Sequence, residues 1–286
     1  MSVRYASTSL ASLGRGPKSS QPVPWFRRRA ASRTSSYSAS SIALGAVAHT
    51  KTAWSQLVAS TSASVGCIRV MMRNSYTYTA SSSLLLDFGI GAAGSEIVIA
   101  QNIACGGGAN TTYGGILFEI PVAIPAGTRV AFRAQSARTS WSQAFDAVLL
   151  ANSDIATTPA SVTTIGTSTA TSAGTAMSGS SGTYVQMIAS TAADYQAVII
   201  VPSISSTSGA PNNSAAIFTL ATGAAGSEVD VGQCVVRYDG GVGVGNAVLP
   251  GYCGGYIPAG TRLSVKHNIA SSPGSYDICL IGVPYA

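Results

Sequence analysis

Two histidines, five cysteines and ten carboxylate side chains are all that this chain offers for catalysis or metal binding. A three-histidine zinc site needs one more than His49 and His267 supply. Cys67, Cys105, Cys234, Cys253 and Cys279 are odd in number and contain no C-x-x-C pair, so they read as small buried hydrophobes in a reducing compartment. A Ser-His-Asp set using His267 and Asp277 stays open, but no G-x-S-x-G elbow accompanies it. Gly89-Ile90-Gly91-Ala92-Ala93-Gly94 has the G-x-G-x-x-G spacing, which receives a pyrophosphate only where it opens a helix. Here Ser95-Glu96-Ile97-Val98-Ile99 follows, a strand pattern, so the glycines read as a bend. Asp146 and Asp277 recur at equivalent places in the chain, which fits a repeated structural task better than two acids across a hydrolytic cleft. The expectation is a protein without catalytic residues, cofactor or metal.

A different kind of site is written twice. Glu96 closes the phrase Gly91-Ala92-Ala93-Gly94-Ser95-Glu96, and Glu228 closes the same phrase at 223–228. Arg129 ends Ile124-Pro125-Ala126-Gly127-Thr128-Arg129, and Arg262 ends its copy at 257–262. Each Glu is expected to pair with the Arg of its own copy and pin a glycine-rich bend to a turn; separate solvated charges are the alternative. Two further phrases recur in the same order. Trp54-Ser55-Gln56-Leu57-Val58-Ala59-Ser60-Thr61 answers to the stretch from Tyr184 to Thr191, and Phe145-Asp146-Ala147-Val148-Leu149 answers to that from Tyr276 to Leu280. Four landmarks in one order, at offsets of 130 to 133 residues, imply a tandem duplication.

The elements that carry these phrases read as strands. After each turn the chain alternates: Arg129, Ala131 and Arg133 point one way, Val130 and Phe132 the other. Arg262, Ser264 and Lys266 repeat this opposite Leu263 and Val265, the period of a half-buried antiparallel strand. Short apolar runs at Cys67–Met72, Leu84–Phe88, Ile97–Ala100, Ile116–Ile120 and Asp146–Leu150 are separated by Ser, Thr and Gly. No sustained helical period occurs. The chain is therefore expected to be all-β. It reads as two tandem antiparallel β-sandwich domains of jelly-roll type over 42–151 and 172–286, each with its own core, joined by a Ser/Thr/Ala-rich linker over 152–171 in which Ser161-Val162-Thr163-Thr164-Ile165 could form an edge strand.

Residues 1–41 read as an extended basic arm. Residues 1–86 hold ten basic side chains and no acidic one. Gly and Pro punctuate the arm's start, and it lacks the apolar area to fold alone. Arg4, Arg15, Lys18, Trp25, Phe26, Arg27, Arg28, Arg29 and Arg33 are its candidate partner-binding residues, an aromatic anchor beside a charge cluster that suits a pocket with an acidic rim. A flexible solvated tail is one alternative and nucleic acid the weakest, since no nucleic-acid motif accompanies the cluster. Only 9% of residues are charged, against roughly 25% in a typical globular domain, which favours a chain packed against neighbours in a homo-oligomeric or multi-copy assembly. No apolar run approaches the ~18 residues of a membrane span.

Taken together, the W-x-Q-h-h-A-S-T opening (h, apolar), the G-A-A-G-S-E bend and the I-P-A-G-T-R turn resemble segments of tailed-bacteriophage virion structural proteins. The resemblance covers 42–286 and not the arm. It implies β-sandwich modules on the outside of a particle, as capsid decoration, collar or tail accessories. Capsid, portal or tail proteins would then be the partners and the virion the location, and no catalytic residue is carried over. Tyr184 departs from the opening Trp, which leaves a Trp-dependent contact there open. The alternative is a tail-associated, carbohydrate-recognising receptor-binding protein in which Tyr76, Tyr78, Tyr113, Tyr252 and Tyr256 stack on sugar rings.

Overall fold

The computed structural model describes residues 33–73, 84–105, 114–136, 139, 142–152, 158–166, 174–177, 182–206, 214–238, 246–248, 251–269 and 275–286. Among them there is no helix, and so none long and apolar enough to cross a membrane. The first half of the chain contributes β1 (Arg33–Ala43), β2 (Ser55–Val58), β3 (Val65–Arg73), β4 (Leu84–Ile90), β5 (Ile97–Cys105), β6 (Gly114–Ile120), β7 (Val130–Ser136) and β8 (Ser142–Ala151). The second contributes β9 (Thr163–Ile165), β10 (Thr175–Met177), β11 (Val185–Ile188), β12 (Tyr195–Ser206), β13 (Ser214–Thr222), β14 (Val229–Tyr238), β15 (Asn246–Val248), β16 (Gly251–Ile257), β17 (Leu263–Ile269) and β18 (Ser275–Pro284).

In the first half β1-β8-β3-β6 lie side by side, and β2-β7-β4-β5 form a second sheet. The order returns in the second half as β10-β18-β12-β16, with β9 also on β18, and as β11-β17-β13-β14. These ladders are antiparallel; a short parallel ladder between β15 and β6 joins β1-β8-β3-β6 to β14-β13-β17-β11 in one nine-stranded sheet. Phe132 of β7 meets Phe145 of β8 edge-on, with ring centroids 4.7 Å apart, across the gap between the two sheets of the first half. Phe88, Phe118 and Phe145 are buried in the first half, Tyr195 and Phe218 in the second, and one continuous apolar cluster runs through both.

Strict alternation fails on the inner strands, for a physical reason. Ala131 and Gln135 of β7 are buried along with Val130 and Phe132, because the outward face is roofed too. The segment before β2 extends along β7, His49 and Thr52 donating backbone hydrogen bonds to the carbonyls of Ser136 and Ala134, and it lays Trp54 over β4. β4 is accordingly buried from Leu84 to Phe88. In the second half, Ala197, Ile199 and Val201 of β12 and Cys279, Ile281 and Val283 of β18 face away from their own sandwich yet are fully buried. β5 of the first half lies against β12, β18 and β9. The separate cores expected from length are thus one packed body.

One boundary differs from the sequence reading, and the edge strand it allowed within 161–165 is present. Residues 33–41, at the end of the segment read as the arm, belong to β1, which is hydrogen-bonded to β8 from Arg33 to Ala43. Thr163–Ile165, within the segment read as linker, pair with Leu280–Gly282 of β18. Both segments are edge strands whose order comes from a ladder on a neighbour, and the Ser/Thr-rich composition of β1 carries no alternating signal of its own.

Candidate functional site

Three of the four recurring phrases meet in space and form one hydrogen-bonded knot per half. The phrase ending in Thr61 is clamped to the turn at 124–129. Gly127 N–H donates to Thr61 O (2.8 Å), Thr61 Oγ1 donates to Pro125 O (2.9 Å), and Thr128 N–H donates to Thr61 Oγ1 (3.2 Å). Thr191 holds the second turn in the same way, with Gly260 N–H on its carbonyl (2.8 Å), its hydroxyl on Pro258 O (2.8 Å) and Thr261 N–H on Oγ1 (3.1 Å). Gly127 and Gly260 have φ of +77° and +81° with open space where a Cβ would sit. Backbone conformation, not room, demands glycine there.

Arg129 ties the turn to the bend. Its Nη1 donates to Glu96 Oε1 (2.8 Å) and to Gly91 O (3.2 Å), and its Nε to Gln56 Oε1 (3.3 Å). Glu96 Oε2 accepts from Gly94 N–H (3.1 Å). Arg262 repeats the pattern on Glu228 (3.0 Å), Gly223 O (3.0 Å) and Gln186 (2.9 Å), with Gly226 N–H on Glu228 Oε2 (2.9 Å). Desolvation opposes ionisation of Glu96. The Arg129 hydrogen bond, its own N–H and that of Gly94 outweigh it and hold the carboxyl below its ordinary range. Glu228 is lowered likewise, against desolvation, by its own N–H, Arg262 and Gly226. Both oxygens of each carboxylate are engaged, so the arrangement braces the fold instead of offering a base.

Beside each knot lies a cation over an aromatic ring, built differently in the two halves. Arg133 stacks 4.5 Å over Trp54 and donates through Nε to Asp87 Oδ2 (2.8 Å). Asp87, on β4, is almost fully buried and also pairs with Lys51, while its Oδ1 accepts from Asn102 N–H (2.7 Å). Asn102 sits where the β4–β5 register shifts, at φ +53°, so the carboxylate caps an N–H at the bulge. In the second half Lys266 stands 4.5 Å over Tyr184 and bonds its hydroxyl (2.6 Å) and Asp230 (3.1 Å). Tyr184 also donates to Asp230. Asp230 is held low, chiefly by the Tyr184 hydroxyl and then, against desolvation, by Lys266; Lys266 is raised by the same two partners. The Trp-to-Tyr departure thus keeps the cation–ring contact and adds a hydrogen bond. Trp54 needs Gly89 beneath it, since a Cβ there would lie 2.8 Å from the ring; the matching position in the second half, where Tyr184 stands for Trp54, is Ala221. Sequence reading missed Asp87, Asp230, Lys51 and the ring–cation pairs, because the two halves draw their carboxylates from different strands.

Of the other candidates, Arg4, Arg15, Lys18, Trp25, Phe26, Arg27, Arg28 and Arg29 lie outside the described residues, as do Tyr76, Tyr78 and Tyr113. Arg33 is placed at the start of β1, and Tyr252 on β16 opposite Ile199. Tyr256 is exposed, its ring 6.2 Å from that of Tyr285. His267 is buried on β17, stacked on Phe218 at 6.1 Å, whereas Asp277 is on β18 in the other sheet. Burial pushes the thiol of Cys67 well up, and those of Cys253 and Cys279 up to about 12, so they stay protonated and weakly nucleophilic. Among the described residues no group of three His, Cys, Asp or Glu is placed to hold a metal ion. Set against known proteins, the chain matches no family model, no curated protein and no solved structure.

Proposed function

We propose that this chain is a non-enzymatic structural component of a bacteriophage virion. In this reading two jelly-roll modules arose by tandem duplication and decorate the capsid or serve as a head or tail accessory. The basic segment before β1 anchors them to a capsid, portal or tail protein. The observation that carries the reading is the twice-built knot. Its polar groups are spent on one another, in an all-strand body whose phrases resemble virion modules. The strand orders β1-β8-β3-β6 and β2-β7-β4-β5, with their repeats, fit the jelly-roll assignment and the duplication. A segment that takes its shape on a partner can wrap a large surface, at the cost of ordering itself. The test is removal of residues 2–32, which keeps β1 whole. Particles assembled with that chain should lack it, while its circular dichroism stays that of the full chain; particles carrying a full complement would reject the anchor.

A second reading, recognition of carbohydrate on a host surface, is favoured by one feature, the exposed Tyr256 beside Tyr285. Glycan-array binding by the full chain, lost in Tyr256→Ala, would promote it over the first.

A further inference from the structure

Among the described residues the two halves pack face to face once, although each half carries a version of both of the surfaces involved. In the first half the cross-strand pair Leu85–Ala104 on the outward side of β4 and β5 is buried, at 1% and 0% exposure, as is Ile99 at 2%. What covers it is the outward face of β12 and β18: Cys279 Sγ reaches Ala104 O at 3.9 Å, and Val162, just before β9, donates to Ile99 O at 3.0 Å. The corresponding pair in the second half is Ile217–Val235, one residue beyond Phe218–Cys234 as Leu85–Ala104 is beyond Leu86–Ile103. Ile217 is 37% exposed, Val235 50%, and Val231, at the place of Ile99, 39%. The complementary surface is also open. The outward face of β3 and β8, whose counterpart on β12 and β18 is buried at Ile199, Val201, Cys279 and Ile281, leaves Met71 41% exposed and Val148 and Leu150 half-buried, with the Arg69–Glu119 ion pair beside Val148.

We propose that this bare pair of surfaces is a head-to-tail interface between copies of the chain. The Ile217–Val231–Val235 face of one copy seats on the Met71–Val148–Leu150 face of the next. A second copy is the occupant because the chain already makes this contact within itself, and stacking copies continues the same succession of sheets. The two faces are different, so the contact is heterologous and propagates into a ring or an open array. It goes beyond the virion reading and stands whether or not that reading holds.

Two variants of the full chain test it by light scattering or sedimentation, V231E/V235E and M71E/V148E. The wild-type chain should associate beyond a monomer and each variant should be monomeric. Mixed in equal amounts, the variants should form a heterodimer and nothing larger, since each keeps one intact face. Each must keep the wild-type circular dichroism; where one does not, the single changes Val235→Glu and Met71→Glu replace it. A wild-type chain that stays monomeric at the highest concentration reached, or an assembly that survives either set of changes, overturns the proposal. So does self-association of M71E/V148E alone, which would mean that the Val235 face pairs with itself.

Discussion

Glu96 and Glu228 owe their low pKa to partners that exist only in the folded chain, and this fixes the sign of their contribution. A carboxyl held below its unfolded value adds stability above that value, and the contribution is lost as pH falls through the folded one. The melting temperature should therefore fall on acidification from the ordinary Glu range, about pH 4, downward. Glu96→Gln with Glu228→Gln should flatten that acid limb in melts recorded across the window. Asp87 is a harsher case, because its carboxylate is buried between Lys51 and Arg133 and caps Asn102. Asp87→Ala takes the carboxylate from two cations, which keep Asn102 Oδ1 and the Trp54 ring, and leaves the Asn102 N–H without its acceptor. It should cost about 3 kcal/mol by urea unfolding, tempered by the partial exposure of both cations.

At the scale of the element, each half is held by a turn and a bend locked to the strand phrase ending in Thr61 or Thr191. Gly127→Ala and Gly260→Ala meet no atom but must hold an L-residue at positive φ, which should cost about 1–2 kcal/mol each by denaturant unfolding. Gly89→Ala is different in kind: its cost is the displacement of Trp54, so it should be relieved in the Trp54→Tyr background, the pairing the second half already uses. A double-mutant cycle measures that coupling; additive losses would mean that ring and glycine are independent.

At the scale of the whole molecule, the outward face of β12 and β18 is covered by β5 of the first half, so the two halves should unfold together. Unfolding the first half alone would bare Ile199, Val201, Cys279 and Ile281. Apolar burial stabilises by about 25 cal/mol per Å², so such an intermediate is disfavoured. Calorimetry of the full chain should give one transition with equal calorimetric and van't Hoff enthalpies. Two resolved transitions would show that the halves are thermodynamically separate.

The all-β character and the recurring phrases could be read from the residues, because strand period and repeated words are local properties. Recurrence also singled out Glu96, Arg129, Glu228 and Arg262, and their opposite charges suggested one pair per copy. Nothing local told that Thr61 and Thr191 were the clamps, or that Asp87 and Asp230 reach corresponding cations from different strands. Ser/Thr-rich β1 carried no alternating pattern, since an edge strand takes its order from the ladder beside it. Above all, only the tertiary structure decided which outward faces are covered. Ala104 and Val235 occupy corresponding strands and are both apolar; one is buried and the other bare because burial belongs to what packs on a surface, and among the described residues only Ala104 is covered.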